Sequence, residues 1–278
     1  TATEAAKMLL VALGYNASFE NMVGSNWAIS TNVLANQNGL YDGLSINPSE
    51  GLTRDNAAQM VYNALDAGVV SYDYTLVTDG STISSSPTLI DNNNKTLLED
   101  KFNAVKVEGV VVANEFANLS SNSTNSDYAK GVVGSAMDEG KTRLNVTNYE
   151  DQGYYTNGNT DFAVSTGKDE LGRSVVLYVK KNANASKAEV LGSAITSSDN
   201  KVVVDYTSDS VKDVADDNNL NFTSNTKIAY NYASMETLTA DPDSIGAAGY
   251  EKVIIDTDSD GDVDYVLYNN YQMGKVTK

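Results

Sequence analysis

Apolar and polar positions follow two different rhythms along this chain. Up to about residue 68, apolar residues recur every three or four positions, the period of a helix packed on one side. From about residue 95 onward they alternate, or run in Val-rich blocks between Gly, Asn and Asp, as strands do. The first stretch, "TATEAAKMLLVALG" (1 to 14), returns 52 positions later as "TRDNAAQMVYNALD" (53 to 66), with six of the first thirteen positions identical. Ala5, Met8, Leu9, Ala12 and Leu13, and their counterparts Ala57, Met60, Val61, Ala64 and Leu65, fall at i, i+3, i+4, i+7 and i+8, which predicts one buried apolar face per helix. Thr1 and Thr53 occupy the N-cap positions, with Gly14 and Gly68 at or just past the C-terminal ends. Between the copies, "SNWAISTNVLANQNG" (25 to 39) predicts a third helix, capped by Ser25, stopped by Gly39, and packed through Ile29, Val33 and Leu34.

The stretch 71–94, rich in Ser, Asn and Asp around Pro87, predicts a loop or linker. Beyond it, "TLLEDKF" reads as a short helix. Strands are then predicted in "NAVKVEGVVVANEF", "KTRLNVTN", "TDFAVST", "RSVVLYVKK", "AEVLGSAI" and "NKVVVDY". A polar helix, "SDSVKDVADDNNL", precedes further strands in "KIAYNYAS" and "YEKVIIDTDSDGDVDYVLYNNY". The expected fold class is therefore α+β, with an all-helical segment over 1–70 followed by two mainly antiparallel β modules, 95–200 and 201–278, each a small barrel or sandwich. The first module is similar to the five-stranded oligomer-binding (OB) barrel. The chain opens mid-pattern and "YQMGKVTK" starts a new alternating run, so it reads as a fragment of something longer.

The order of helix, "GLYDGL" turn, Pro-containing loop and "LTRD" at the next helix start resembles the S-layer homology (SLH) domain of Gram-positive surface proteins. The resemblance covers about residues 1 to 70, one whole module plus the last helix of the one before. In that family the modules bind anionic secondary cell-wall polysaccharide, and the Arg of a "TRAE" motif belongs to the binding groove. Thr53 and Arg54 match the motif's start, while Asp55 and Asn56 replace its Ala and Glu; the first copy keeps Glu4 and has Ala2 where Arg stands. The resemblance thus points to Arg54, with Thr53 and Trp27, as polysaccharide-binding residues. Two readings of Arg54 stand side by side: a guanidinium that engages a sugar carboxylate, or one that pairs with a neighbouring acid at the helix start. Trp27, on an otherwise apolar helix, reads as core first and as a sugar platform second.

Composition narrows the chemistry. With 37 acidic residues against 19 basic ones the formal charge is −18, which repels phosphate backbones and anionic lipids, so neither nucleic acid nor a membrane is an expected partner. No apolar run approaches the ~20 residues of a membrane helix. There is no Cys and no His. That removes disulfides, thiolate sites, the commonest general base, the Ser-His-Asp triad and nearly all transition-metal sites. An enzyme is not expected. The N-x-S/T triplets at Asn118 and Asn122 arise by chance in so Asn-rich a chain, and Gly131, Gly134 and Gly140 miss the phosphate-loop spacing. The 17 tyrosines, against five Phe and one Trp, read first as half-buried sheet residues, with exposed Tyr stripes for subunit contacts or glycan stacking as the alternative.

One acidic motif stands apart. In "IIDTDSDGDVDYVLY", Asp256, Asp258, Asp260, Asp262 and Asp264 alternate around Gly261, matching the start of a calcium loop. Leu267 stands where an EF-hand places its bidentate Glu, and the flanks alternate like strands. A strand-loop-strand Ca2+ site and a plain solvated hairpin are the two readings left.

Together these features lead to the expectation of a secreted cell-surface protein of S-layer or surface-filament type. It would attach to secondary cell-wall polysaccharide and assemble with copies of itself as a homo-oligomer, lattice or filament. A wall-anchored glycan-binding adhesin is the alternative; a carboxylate-dependent glycan hydrolase ranks below it, because the sequence nominates no facing carboxylate pair.

Overall fold

The computed structural model describes residues 1–80, 82–120, 135–149, 158–182, 188–233 and 235–271. The chain forms two compact units, 1–104 and 105–278. It is a mixed α and β structure with three mostly antiparallel sheets, none of them closed into a barrel. No described helix is long and apolar enough to cross a membrane. Asn122, Gly131, Gly134 and the tail 272–278 lie outside the described residues.

In the first unit, α1 (Ala2–Leu13), α2 (Trp27–Gln37) and α3 (Arg54–Asp66) enclose Leu10, Leu13, Met22, Leu40, Met60 and Ala64, all buried. Thr1 and Glu4 complete a reciprocal capping box on α1. On α3 the Thr53 hydroxyl accepts the Asn56 N–H at 3.2 Å. The cap of α2 is Asn26, not Ser25.

The helical faces also depart from the predicted ones. In α1 the inward residues are Ala2, Thr3, Ala6, Leu10 and Leu13, while Met8 is 74% exposed and Val11 faces outward. Ala12 is exposed too, whereas Met60 and Ala64, the repeat counterparts of Met8 and Ala12, are buried, so the two copies turn different sides to the core. In α2, Thr31 and Ala35 face inward and Ile29 and Val33 face out. The reason is steric: Ala and Thr let α1 and α2 approach closely, and Thr3 fastens the contact by donating to Asn32 Oδ1 (3.0 Å) or the Pro48 carbonyl (2.9 Å). A helix as apolar all round as "AAKMLLVAL" leaves the choice of face to its partners.

Residues 71–94, expected as a linker, belong to a long hairpin ribbon of β1 (Gly68–Asp79) and β2 (Thr82–Thr96). Ser- and Thr-rich strands hide their period because nearly every position is polar or β-branched. Val69 and Val70 anchor the ribbon's base in the helical core. Tyr72 stacks edge-on against Phe19 at 5.2 Å and donates to Glu20 Oε1 at 2.7 Å. The ribbon runs into α4 (Leu97–Phe102), capped by Thr96.

The second unit holds two five-stranded sheets. The first contains β3 (Ala104–Ala113), β4 (Thr142–Tyr149), β5 (Gly158–Phe162), β6 (Ser174–Lys180) and β7 (Ile195–Thr196), in the order β5-β4-β3-β6-β7. The predicted strand "AEVLGSAI" is reduced to β7 and a single bridge from Val190 to Val179. The second sheet contains β8 (Lys201–Asp205), β9 (Asn221–Tyr230), β10 (Glu236–Thr237), β11 (Glu251–Asp256) and β12 (Asp262–Asn269), in the order β10-β9-β12-β11-β8, with β9 and β12 parallel. Helix α5 (Val211–Asp217) follows β8.

The two expected modules share one core. Val105, Val111, Leu144, Phe162, Val175 and Leu177 of the first sheet pack with Val253, Ile255, Tyr265 and Leu267 of the second. The opposite face of the second sheet, Ile228, Ile254 and Val266, covers Val211, Val214 and Ala215 of α5. The register between β12 and β9 breaks between Val263, which pairs with Phe222, and Tyr265, which pairs with Lys227, so the extra residues lie on β9; Val263 joins the α5 side while Tyr265 faces the other.

Candidate functional site

Among the described residues, three places gather candidate functional side chains. The first is the tip of the β11–β12 hairpin, where alternation should send successive aspartates to opposite sides. Asp256, the last residue of β11, is fully buried and spends its carboxylate on the turn: Oδ1 accepts the N–H groups of Asp258 (3.2 Å) and Ser259 (2.7 Å), and Oδ2 that of Gly261 (3.0 Å). Gly261 has φ +92°, which favours glycine there. Asp258 Oδ1 accepts the Asp260 N–H at 3.3 Å, and Asp260 Oδ1 that of Asp262 at 2.8 Å.

Carboxylate oxygens of Asp256, Asp258 and Asp260 thereby lie within 4.8 Å of one another. Burial, together with the charges of Asp260, Asp264 and Asp256, holds the Asp258 pKa above its ordinary value, against the bond from the Asp260 N–H. Hard oxygen ligands at this spacing suit a calcium ion that completes its shell with water and carbonyls. Of the five expected ligands the structure assembles three. Asp264 turns to Thr257, accepting its N–H at 2.8 Å and its hydroxyl at 2.6 Å, and Asp262 stays outside the cluster.

The second place is the start of α3. Arg54 is exposed, and its guanidinium forms no hydrogen bond or ion pair among the described residues. The pairing expected in one of its two readings is absent there. Thr53 serves as the helix cap. Trp27, read first as core, is only half-buried at the start of α2, with the Lys7 ammonium 5.5 Å from its ring centroid.

None of the residues at the third place was nominated from the sequence, which offered only exposed tyrosines in general. At the end of the second sheet opposite the aspartate hairpin, a cleft of about 300 Å3 opens among Lys168, Arg173, Tyr206, Tyr232, Glu251 and Tyr271. Leu171, Val253 and Leu267 supply apolar surface. Glu251 accepts three hydrogen bonds, from the Tyr206 hydroxyl (2.9 Å), the Tyr271 hydroxyl (2.7 Å) and the Asn269 amide (2.9 Å). Burial raises its pKa, but those bonds and the Lys168 charge outweigh burial and hold it below the ordinary value. The Lys168 ammonium sits 4.5 Å from the Tyr232 ring centroid and 4.9 Å from that of Tyr271, and lies 3.2 Å from the Tyr271 hydroxyl. These residues come from five separate stretches, and their one trace in the sequence is the excess of tyrosine.

No family model, no curated protein and no solved structure matches the chain.

Proposed function

We propose that this chain is a structural cell-surface protein of S-layer or filament type, secreted, attached to secondary cell-wall polysaccharide through its helical segment and assembled with copies of itself. The observation that carries this reading is the β1–β2 ribbon. Its strands reach about 40 Å at 3.4 Å per residue, and among the described residues neither outer edge pairs with another strand. Tyr72, Tyr74 and Leu76 share one face with Leu89 and Pro87. Tyr72 and Tyr74 meet the Phe19 ring edge-on, and beyond them the face is open, with Leu76 71% exposed and Leu89 also outward. A two-stranded ribbon with a bare apolar face is marginal alone, and its free edges are templates for another chain.

In this reading Arg54, unpaired and exposed, engages carboxylates of the wall polysaccharide, flanked by Thr53 and Trp27. A calcium ion held by Asp256, Asp258 and Asp260 neutralises acidic surface where copies meet.

Sedimentation and negative-stain microscopy of the full chain test the assembly step. Filaments, sheets or discrete oligomers are expected, and Leu76→Asp with Tyr74→Ser returns the chain to a folded monomer. A wild-type chain that stays monomeric with and without calcium removes the reading.

A further inference from the structure

We infer that the cleft among Tyr206, Tyr232 and Tyr271 binds a saccharide bearing a carboxylate. This site belongs to the second unit and does not depend on the attachment assigned to Arg54.

Charge is the first argument. In a chain with 37 acids for 19 bases, cations such as Lys95, Arg143 and Lys252 pair with a carboxylate. Arg173 does not: among the described residues its side chain has no hydrogen-bond partner, and its Nε–H is sealed from solvent. A buried donor left without an acceptor destabilises the fold unless a ligand supplies one. Lys168 likewise has no acid on its ammonium and rests over two tyrosine rings. The lining also holds two acids, Asp169 and Glu251, but among the described residues neither pairs with the Arg173 guanidinium, whose planar fork matches a carboxylate.

Shape and polarity are the second argument. Tyr206 and Tyr271, each more than half exposed, offer ring surface and hydroxyls at the rim, and the wall of Leu171, Val253 and Leu267 is apolar. Glu251, fixed by its three donors, and the exposed Asp169 add acceptors. Flat apolar surface ringed by donors and acceptors is what a sugar ring requires, with its C–H face on one side and hydroxyls around its edge. A cleft of about 300 Å3 takes a single acidic residue of a chain and leaves its neighbours in solvent.

The test titrates the full chain with tri-galacturonic acid and, separately, with neutral galactotriose, using calorimetry and saturation-transfer NMR. Tri-galacturonic acid is expected to bind, with galactotriose about tenfold weaker or more. Tyr206→Ala, at an exposed rim position, and Arg173→Gln are each expected to weaken binding by about tenfold without lowering the melting temperature. Should Arg173→Gln melt early, Lys168→Gln tests the charge instead. The proposal is overturned by no binding of tri-galacturonic acid, by equal binding of the neutral trisaccharide, or by unchanged affinity in Tyr206→Ala.

Discussion

Lys252 Nζ lies 2.7 Å from Asp205 Oδ1, joining β11 to the edge strand β8 through a lysine with no solvent exposure at all. The same ammonium donates to the Thr207 carbonyl at 2.7 Å, and Asp205 also accepts the Thr207 N–H and hydroxyl. Burial opposes ionisation of Asp205, but the bonds from Lys252 and Thr207 prevail and hold its pKa below the ordinary value.

Removing either partner should therefore have unequal consequences. Asp205→Asn leaves a charged lysine in the interior and is expected to cost about 3 kcal/mol, the low end for a buried pair because the Asp205 side chain is 21% exposed. Lys252→Met leaves an acid that solvent reaches, and is expected to cost less. The wild-type contribution from Asp205 is complete above the ordinary carboxylate range and fades as pH falls through its lowered folded pKa. Urea unfolding of both variants across the acid range checks the order and the sign.

At the hairpin tip, metal and turn roles separate by residue. Asp256→Asn disturbs a carboxylate that organises three backbone N–H groups, so it is expected to destabilise with or without calcium. Asp258→Asn acts differently. Its raised pKa means that the folded state favours the neutral form, so stability falls as pH rises through that pKa; in chelator at neutral pH the variant should be at least as stable as wild type. Calcium is expected to raise the melting temperature of wild type and to leave Asp258→Asn unmoved. Melting curves in calcium and in chelator decide it; a wild type indifferent to calcium would make the loop a turn only.

Gly14 ends α1 at φ +109°, and a Cβ built there would stand 2.1 Å from the Val70 carbonyl oxygen. Gly14→Ala is expected to cost about 2 kcal/mol or more, since left-handed strain adds to a clash with backbone. The base of the ribbon should loosen with it. Hydrogen exchange at Val69 and Val70 reads that loosening directly.

Arg54→Ala should behave in the opposite way. An exposed side chain with no partner contributes within about 0.5 kcal/mol to stability, yet co-sedimentation with purified wall polysaccharide is expected to fall several-fold. Unchanged co-sedimentation would detach Arg54 from the glycan.

Much of the secondary structure was legible in the sequence, but its assembly less so. Thr1 and Thr53 each cap the helix their position predicts, because capping is local chemistry. The strands of "KVEGVVVA" and "VVLYVK" were equally plain, since fully buried β-branched runs admit little else. What failed was any property decided by distant partners. Met8 and Met60 occupy the same place in the repeat and have opposite environments, and the Val-rich strands before and after residue 200 carry no mark of a common core. The aspartates showed their spacing, but not that Asp264 would bond Thr257 instead of joining the cluster, nor the break in register with β9 beside it. Tyr206, Tyr232 and Tyr271 meet because strand ends converge, which periodicity alone does not encode.

The shared core also sets a schedule for biosynthesis. Val105 and Val111 emerge from the ribosome about 150 residues before Tyr265 and Leu267, the side chains that cover them, and synthesis at about 5–20 residues per second makes that interval many seconds. During it the first sheet presents an uncovered apolar face. A chain that leaves the cell would meet the export machinery in that state, and loss of the final hairpin would expose the interior of the whole second unit rather than trim one module from its end.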